Sequence, residues 1–201
     1  VYEDMWSEFS DEFGKTVISV WVDEPRFNNA YMVWTEGLEE DYLERFGESL
    51  KARIDSLYFD VGDYKTIRYR YFTLLRERME KHYFTSVRKW CHEHDLTFSG
   101  HLMGEELLKY QVTQGCALMP FYKYFDIPGI DQLRIFNEWG DKTLGDGGIT
   151  LQGMLVSTIQ CVSAAMQAGK KHILCEMYGV TSPDLSFRDM MRLWDFFALF
   201  G

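Results

Sequence analysis

Apolar residues follow two different periods along the chain. They recur every three or four residues, as on one face of a helix, in 3–13, 39–57, 66–92, 105–119, 151–168 and 186–200. Shorter runs with the residues typical of strands cover 16–22, 96–101, a stretch from Ile130, and 171–179. The pattern predicts helices that alternate with four strands, which favours a parallel sheet with helical crossovers.

Two folds have this alternation, the open doubly wound sheet and the TIM (β/α)8 barrel. The sequence contains no GxGxxG or Walker loop of the nucleotide-binding open sheets, and GDGG at 145–148 has no strand before it. Each predicted strand ends instead in polar or ionisable residues, namely Asp23 and Glu24, His101 with Glu105, Asp131, and Glu176. In a barrel these carboxyl ends meet at one mouth, where the active site lies. We therefore expect a barrel.

The length predicts an incomplete barrel. A whole barrel takes about 250 residues and eight strands, whereas this sequence has 201 residues and four predicted strands. We expect residues 1–201 to form one α/β segment of a longer chain, the C-terminal half of the barrel with strands four to seven or eight. Such a half would expose two sheet edges and an apolar face, so we expect the isolated segment to self-associate and to have little activity.

Composition and charge exclude some partners. The 31 acidic and 21 basic residues give a net charge of −10, which argues against binding to nucleic acid. No apolar stretch approaches the ~20 residues of a membrane span, and no signal peptide opens the sequence. The four cysteines form no CxxC pair, so we expect neither a zinc site nor another cofactor. Cysteine use leaves the compartment open.

Glu24 and Glu176 are the candidate catalytic pair. They follow the first and the fourth predicted strand, and if these are strands four and seven of a barrel, their carboxyl groups face each other across the mouth. Retaining glycoside hydrolysis needs one carboxyl group as acid/base and another as nucleophile, about 5–5.5 Å apart. We expect a separation of about 4–7 Å here.

Four motifs resemble the catalytic barrel of large bacterial glycoside hydrolases, including rhamnosidase-like enzymes: VDEPRF, WCHEHDLTFSGHLMGEE, FDIPGIDQL and AAMQAGKKHILCEMYG. The wider resemblance is to clan A of the retaining glycosidases. It implies a carbohydrate substrate, Glu24 as acid/base, Glu176 as nucleophile, and a secreted or periplasmic parent protein. Asp23 stands where that clan usually has Asn, so an inverting mechanism, with Asp23 or Asp131 as the base, stays open.

Further residues near the strand ends are candidates for sugar binding. They are Asp23, His101, Glu105 and Asp131, together with the aromatic residues Trp21 and Tyr178; Trp34 and Trp139 also offer rings for stacking. Three other interpretations remain: Asp23-Glu24-Pro25 as a simple turn, a barrel that binds carbohydrate without cleaving it, and a metal-dependent hydrolase using His101, Glu105 and Asp131.

His92 and His94 are expected to take no part in a site with His101. They precede the predicted strand that His101 follows, and six extended residues span roughly 20 Å. His92 and His94 should therefore lie at the opposite end of the sheet from His101. There they are favourable cations at a helix C-terminus.

Overall fold

The computed structural model describes residues 1–27, 32–132, 151–179 and 185–200. Within them, four parallel strands form one sheet in the order of the sequence, β1 to β4. Their bounds are β1 Ser19–Val22, β2 Thr97–Gly100, β3 Ile127–Gln132 and β4 Leu174–Met177. Because neighbouring strands are parallel, all four carboxyl ends lie at one edge of the sheet. The mixed α/β architecture that the pattern predicted is therefore confirmed.

Nine α-helices occur in the described residues: α1 Tyr2–Phe9, α2 Leu38–Phe46, α3 Ile54–Tyr58, α4 Tyr64–Met79, α5 Thr85–Glu93, α6 Leu108–Gly115, α7 Met119–Tyr122, α8 Leu151–Gln167 and α9 Phe187–Ala198. A π-helical turn, Glu80–Phe84, joins α4 to α5, so the predicted helix over 66–92 is one continuous helical segment. Two 3-10 turns, Ser10–Glu12 and Lys51–Arg53, complete the helical structure.

Several elements differ in their bounds from the sequence prediction. A single helix over 39–57 is wrong, because α2 ends at Phe46 and is followed by Gly47, whose φ of 70° lies in the left-handed region where glycine terminates helices. The helix predicted over 105–119 is shorter, Leu108–Gly115, and the first and fourth strands are shorter than 16–22 and 171–179. The third strand starts at Ile127 rather than at Ile130 and includes Pro128 and Gly129. The predicted glycine-rich loop over 140–150 lies outside the described residues.

The apolar core has two parts. One lies around the sheet and joins α5, α7 and α8 to the strands; its fully buried rings include Phe84, Phe98, Phe121 and Phe125. The other holds α2, α3 and α4 together around Tyr42 and Tyr71. In the described part of the chain, no helix is both long and apolar enough to cross a bilayer.

The expected separation of the histidines is confirmed. His92, in the last turn of α5, places Nε2 2.7 Å from Asp126 Oδ2, and Asp126 directly precedes β3. His94 stacks on Trp90, with ring centroids 4.1 Å apart. Both histidines therefore lie at the amino ends of the strands, whereas His101 follows the carboxyl end of β2.

Candidate active site

The backbone takes unusual conformations directly after β1 and β4. Glu24 has a φ of 47° and Tyr178 a φ of 71°, both in the left-handed region that residues other than glycine, asparagine and aspartate seldom adopt. Conformations of this kind cost about 1–3 kcal/mol and cluster at functional sites. Of the four such residues in the described part of the chain, these two follow the strands of the predicted catalytic pair, and the other two are Asp95 and Cys116.

Gly100 allows β1 and β2 to approach closely at the same edge. It pairs with Val22, has a φ of 149°, and leaves so little space that a Cβ atom would lie 2.7 Å from Val22 Cγ2 and closer still to the Val22 carbonyl oxygen. Its position fixes where the next residue, His101, leaves the strand.

His101 is the buried centre of the candidate site. Its side chain is fully buried, and Nε2 lies 2.8 Å from Glu176 Oε2 and 3.4 Å from Asp23 Oδ1. The Nε2–H group therefore donates to the Glu176 carboxylate. Trp21 packs edge-on against the imidazole, with centroids 5.2 Å apart. Among the described residues, Nδ1 has no hydrogen-bond partner.

Glu24 and Asp131 approach the same histidine. Each carboxyl group brings an oxygen within 4.8 Å of a His101 ring nitrogen, and the two oxygens also lie within 4.8 Å of each other. Asp131 also pairs with Glu176 across β3 and β4. Both predicted catalytic carboxylates therefore border one imidazole, while their separation of about 4–7 Å stays a prediction.

The surroundings of Asp131 disfavour the charged form of its carboxyl group. Burial, followed by the nearby carboxylates of Glu176 and Glu24, raises its pKa to about 7. Its Oδ1 is buried and has no hydrogen-bond partner within the described residues. Near neutral pH, the Asp131 carboxyl group is therefore partly protonated, a property that suits a general acid or base.

The raised pKa of Asp131 predicts a pH-dependent stability. An unfolded Asp has a pKa near 3.9, so folding takes up a proton between about pH 4 and the folded pKa of about 7. The stabilisation is complete below pH ~4 and is lost as pH rises through ~7. Asp131→Asn should remove this loss. From pH 4 to pH 8, its free energy of unfolding should therefore rise by about 1–2 kcal/mol relative to that of the wild type, a value that includes partial screening by solvent.

Urea unfolding at pH 4, 6 and 8 measures this change. The control is Asp11→Asn, which alters an exposed carboxylate in a 3-10 turn outside the sheet. Equal pH dependence in the two variants would contradict the role given to Asp131.

Glu105 lies in the protein interior beside the site, where it is not accessible to a ligand. It is only 1% exposed. Its Oε1 accepts hydrogen bonds from Tyr122 Oη at 2.7 Å and Leu102 N at 3.3 Å, and its Oε2 accepts from Asp131 N at 2.9 Å. Burial raises the pKa of this carboxyl group well above its usual range. Glu105, which the sequence predicted to bind a sugar, therefore holds the Asp131 backbone in place instead.

The aromatic candidates have different surroundings. Trp21 is 42% exposed beside His101, which suits it to stack on a sugar ring. Tyr178 follows β4, and its hydroxyl donates to Met190 O at 2.9 Å. Trp34 is exposed next to Lys51, and Trp139 lies outside the described residues.

Two residues near the site carried no clear signal in the sequence. Arg26 pairs with Glu24, its Nη1 lying 3.3 Å from Oε2; it stood within the VDEPRF motif without an assigned role. Tyr122 donates to Glu105 from a different part of the chain. Only the folded structure brings Tyr122, in α7, next to Glu105.

The cluster has donors that suit a divalent cation. Two overlapping sets, Asp23–His101–Glu176 and Glu24–His101–Asp131, each bring one ligand atom per residue to within 4.8 Å of the others. Glu105 belongs to neither set, because both of its oxygens bond to the protein. Of the three metal ligands that the sequence suggested, His101 and Asp131 belong to one of these sets and Glu105 does not.

No protein-family model, no curated protein and no solved structure matches this chain. The resemblance to glycoside hydrolase barrels therefore depends on the four motifs alone.

Proposed function

We propose that this chain is the catalytic part of a glycoside hydrolase that cleaves O-glycosidic bonds. One observation carries the proposal: Glu24, Asp131 and Glu176, from three different strand ends, border the buried imidazole of His101. Glycoside hydrolysis requires two such carboxyl groups on opposite sides of one bond. A purely structural cluster of three acids around one histidine would gain little, because like charges disfavour each other.

The fold proposed for this enzyme is a segment of a (β/α)8 barrel. The strand order β1-β2-β3-β4 has no reversal, whereas doubly wound sheets bind ligands where the order reverses. Helices separate successive strands, and the candidate residues lie at the carboxyl ends, as in barrel enzymes. These features of the four described strands support the proposed barrel.

In the proposed retaining mechanism, Glu176 attacks the anomeric carbon while Glu24 protonates the leaving oxygen. The Nε2–H of His101 donates to Glu176 Oε2 at 2.8 Å and holds this carboxylate in place. After the leaving group departs, Glu24 removes a proton from water, and that water releases the sugar from Glu176. Trp21 offers an exposed ring to the sugar beside His101.

The inverting alternative gives Asp131 a direct role. A carboxylate with a pKa of about 7 is a stronger base than an ordinary Asp, and a base of that strength suits catalysis near neutral pH. Asp131 would then activate water while another carboxyl group protonates the leaving oxygen. The two mechanisms release products of opposite anomeric configuration.

Product stereochemistry tests the proposal. The full-length enzyme that contains this segment should hydrolyse at least one member of a panel of nitrophenyl glycosides, and NMR during the first turnovers should show the configuration of the substrate retained. An activated 2-deoxy-2-fluoro glycoside should label the peptide that contains Glu176, as mass spectrometry would detect. An inverted product would transfer the role of base to Asp131, and failure to cleave any O-glycoside would contradict the function.

The two possible cation sets favour a second candidate function, hydrolysis with a bound divalent metal. A cation among these carboxylates would offset their mutual repulsion and polarise a substrate oxygen. Treatment with EDTA distinguishes the two: the proposed glycosidase keeps its rate, whereas a metal-dependent hydrolase loses it and regains it when Mg²⁺, Ca²⁺ or Zn²⁺ is added.

A further inference from the structure

A cleft of about 430 Å³ lies beside the candidate site. One wall is Pro25, Arg26 and Phe27, the residues that directly follow Glu24, and the opposite wall comes from α4 and the π-helical turn. Arg26 belongs to the cleft and also pairs with Glu24. The cleft therefore begins one ion pair away from the proposed acid/base.

The cleft offers basic groups in an otherwise acidic chain, whose net charge is −10. The described residues that line it include Arg26, Arg78 and His82 and no acidic side chain, and the two arginines are each paired with a carboxylate outside the lining, Glu24 and Asp41. Phe27 and Tyr83 add aromatic surface. Donors of positive charge next to aromatic rings suit a ligand that has both a flat apolar face and an anionic group.

The structure holds these groups in place. Arg78 is anchored by Asp41 and by the Glu36 carbonyl oxygen, and it is therefore preorganised rather than free to rotate. Thr35 also lines the cleft, and its hydroxyl oxygen is buried without a hydrogen-bond partner in the described residues.

The π-helical turn gives the cleft part of its shape. It interrupts the helix between α4 and α5 and carries His82 and Tyr83 to the cleft wall. Single π turns within α-helices are rare and frequent at functional sites. A buried hydroxyl without a partner is costly unless a ligand or water satisfies it. These observations are independent of the charge of the cleft.

We infer that this cleft binds an anionic sugar, a uronic acid residue, on the leaving-group side of the scissile bond. The carboxylate meets Arg26 and His82, the ring stacks on the aromatic wall, and a hydroxyl reaches Thr35. The position beside Glu24 assigns the leaving-group side, because the acid/base protonates the leaving oxygen. That assignment rests on the proposed glycosidase, whereas the binding itself does not.

Ligand-observed NMR on the full chain tests the inference, with glucuronate and galacturonate as probes and glucose and galactose as neutral matches. We expect at least one uronate to bind about tenfold or more tightly than its neutral match, as a hydrogen bond to a charged group implies. Arg26→Gln should abolish that difference, and His82→Gln should reduce it. Arg88→Gln, at the opposite end of the sheet beside Asp126, should leave it unchanged.

Three results would overturn the inference. They are equal binding of uronate and neutral sugar, displacement of uronate by acetate at equal concentration, and unchanged uronate binding by Arg26→Gln together with His82→Gln. The proposed function fails separately: if the chain binds uronate in this manner but cleaves no glycoside, the cleft is a carbohydrate-binding site, and the catalytic assignment alone is lost.

Discussion

Replacement of Glu176 by Gln is expected to stop turnover while the fold is retained, with kcat lower on the order of 10⁴-fold, as for other catalytic groups. The amide has nearly the shape of the carboxylate and can still accept the hydrogen bond from His101 Nε2, now 2.8 Å from Oε2. It cannot attack the anomeric carbon, because it carries no negative charge. Steady-state rates on the best glycoside, together with circular dichroism, measure the two parts of the prediction.

The matched control is Glu93→Gln, which makes the same change on the surface of α5, where the Glu93 carboxylate lies 3.6 Å from Lys89 Nζ. We expect its rate to equal that of the wild type. Small anions give a further check: in a retaining enzyme, azide should restore turnover to Glu176→Gly because it replaces the missing nucleophile. A Glu176→Gln protein with an unchanged rate would remove Glu176 from the mechanism.

Replacement of Gly100 by Ala is expected to lower the free energy of unfolding by roughly 3–5 kcal/mol, the sum of overpacking and backbone strain. The new Cβ atom would lie 2.7 Å from Val22 Cγ2 and nearer still to the Val22 carbonyl oxygen. Backbone cannot move aside as a flexible side chain can, so β1 and β2 would have to separate. His101 and Glu24, at the ends of those strands, would separate with them. Urea unfolding followed by tryptophan fluorescence measures the loss.

Gly47→Ala isolates the backbone term of this prediction. Gly47 has a φ of 70°, but a Cβ atom there would meet nothing within 4 Å. We therefore expect a loss of only about 1–2 kcal/mol, the cost of a left-handed L-residue. Equal losses in the two variants would mean that the close contact between β1 and β2 adds nothing to the loss of stability in Gly100→Ala.

The alternation of helices and strands was predictable from the sequence. Helix α8 and strand β2 follow local periods of apolar residues, and such periods depend on which side chains must be buried. The placement of His92 and His101 at opposite strand ends was equally predictable, because an extended chain has a fixed length per residue. The break after α2 was less clear, since a glycine within a helical pattern is often tolerated.

The sequence by itself determined which strand ends carry ionisable groups, because a buried parallel strand places its charges where it leaves the core. Only the tertiary structure decided how those groups divide. Glu105 and Asp131 both carry a carboxyl group near a predicted strand end. In the structure, Glu105 is buried against Tyr122 and accepts a hydrogen bond from the Asp131 amide. Asp131 instead faces Glu24 and Glu176. The pKa of Asp131 and the cleft beside Arg26 likewise arise from residues far apart in the chain. Burial and charge depend on distances in space, which no local pattern contains.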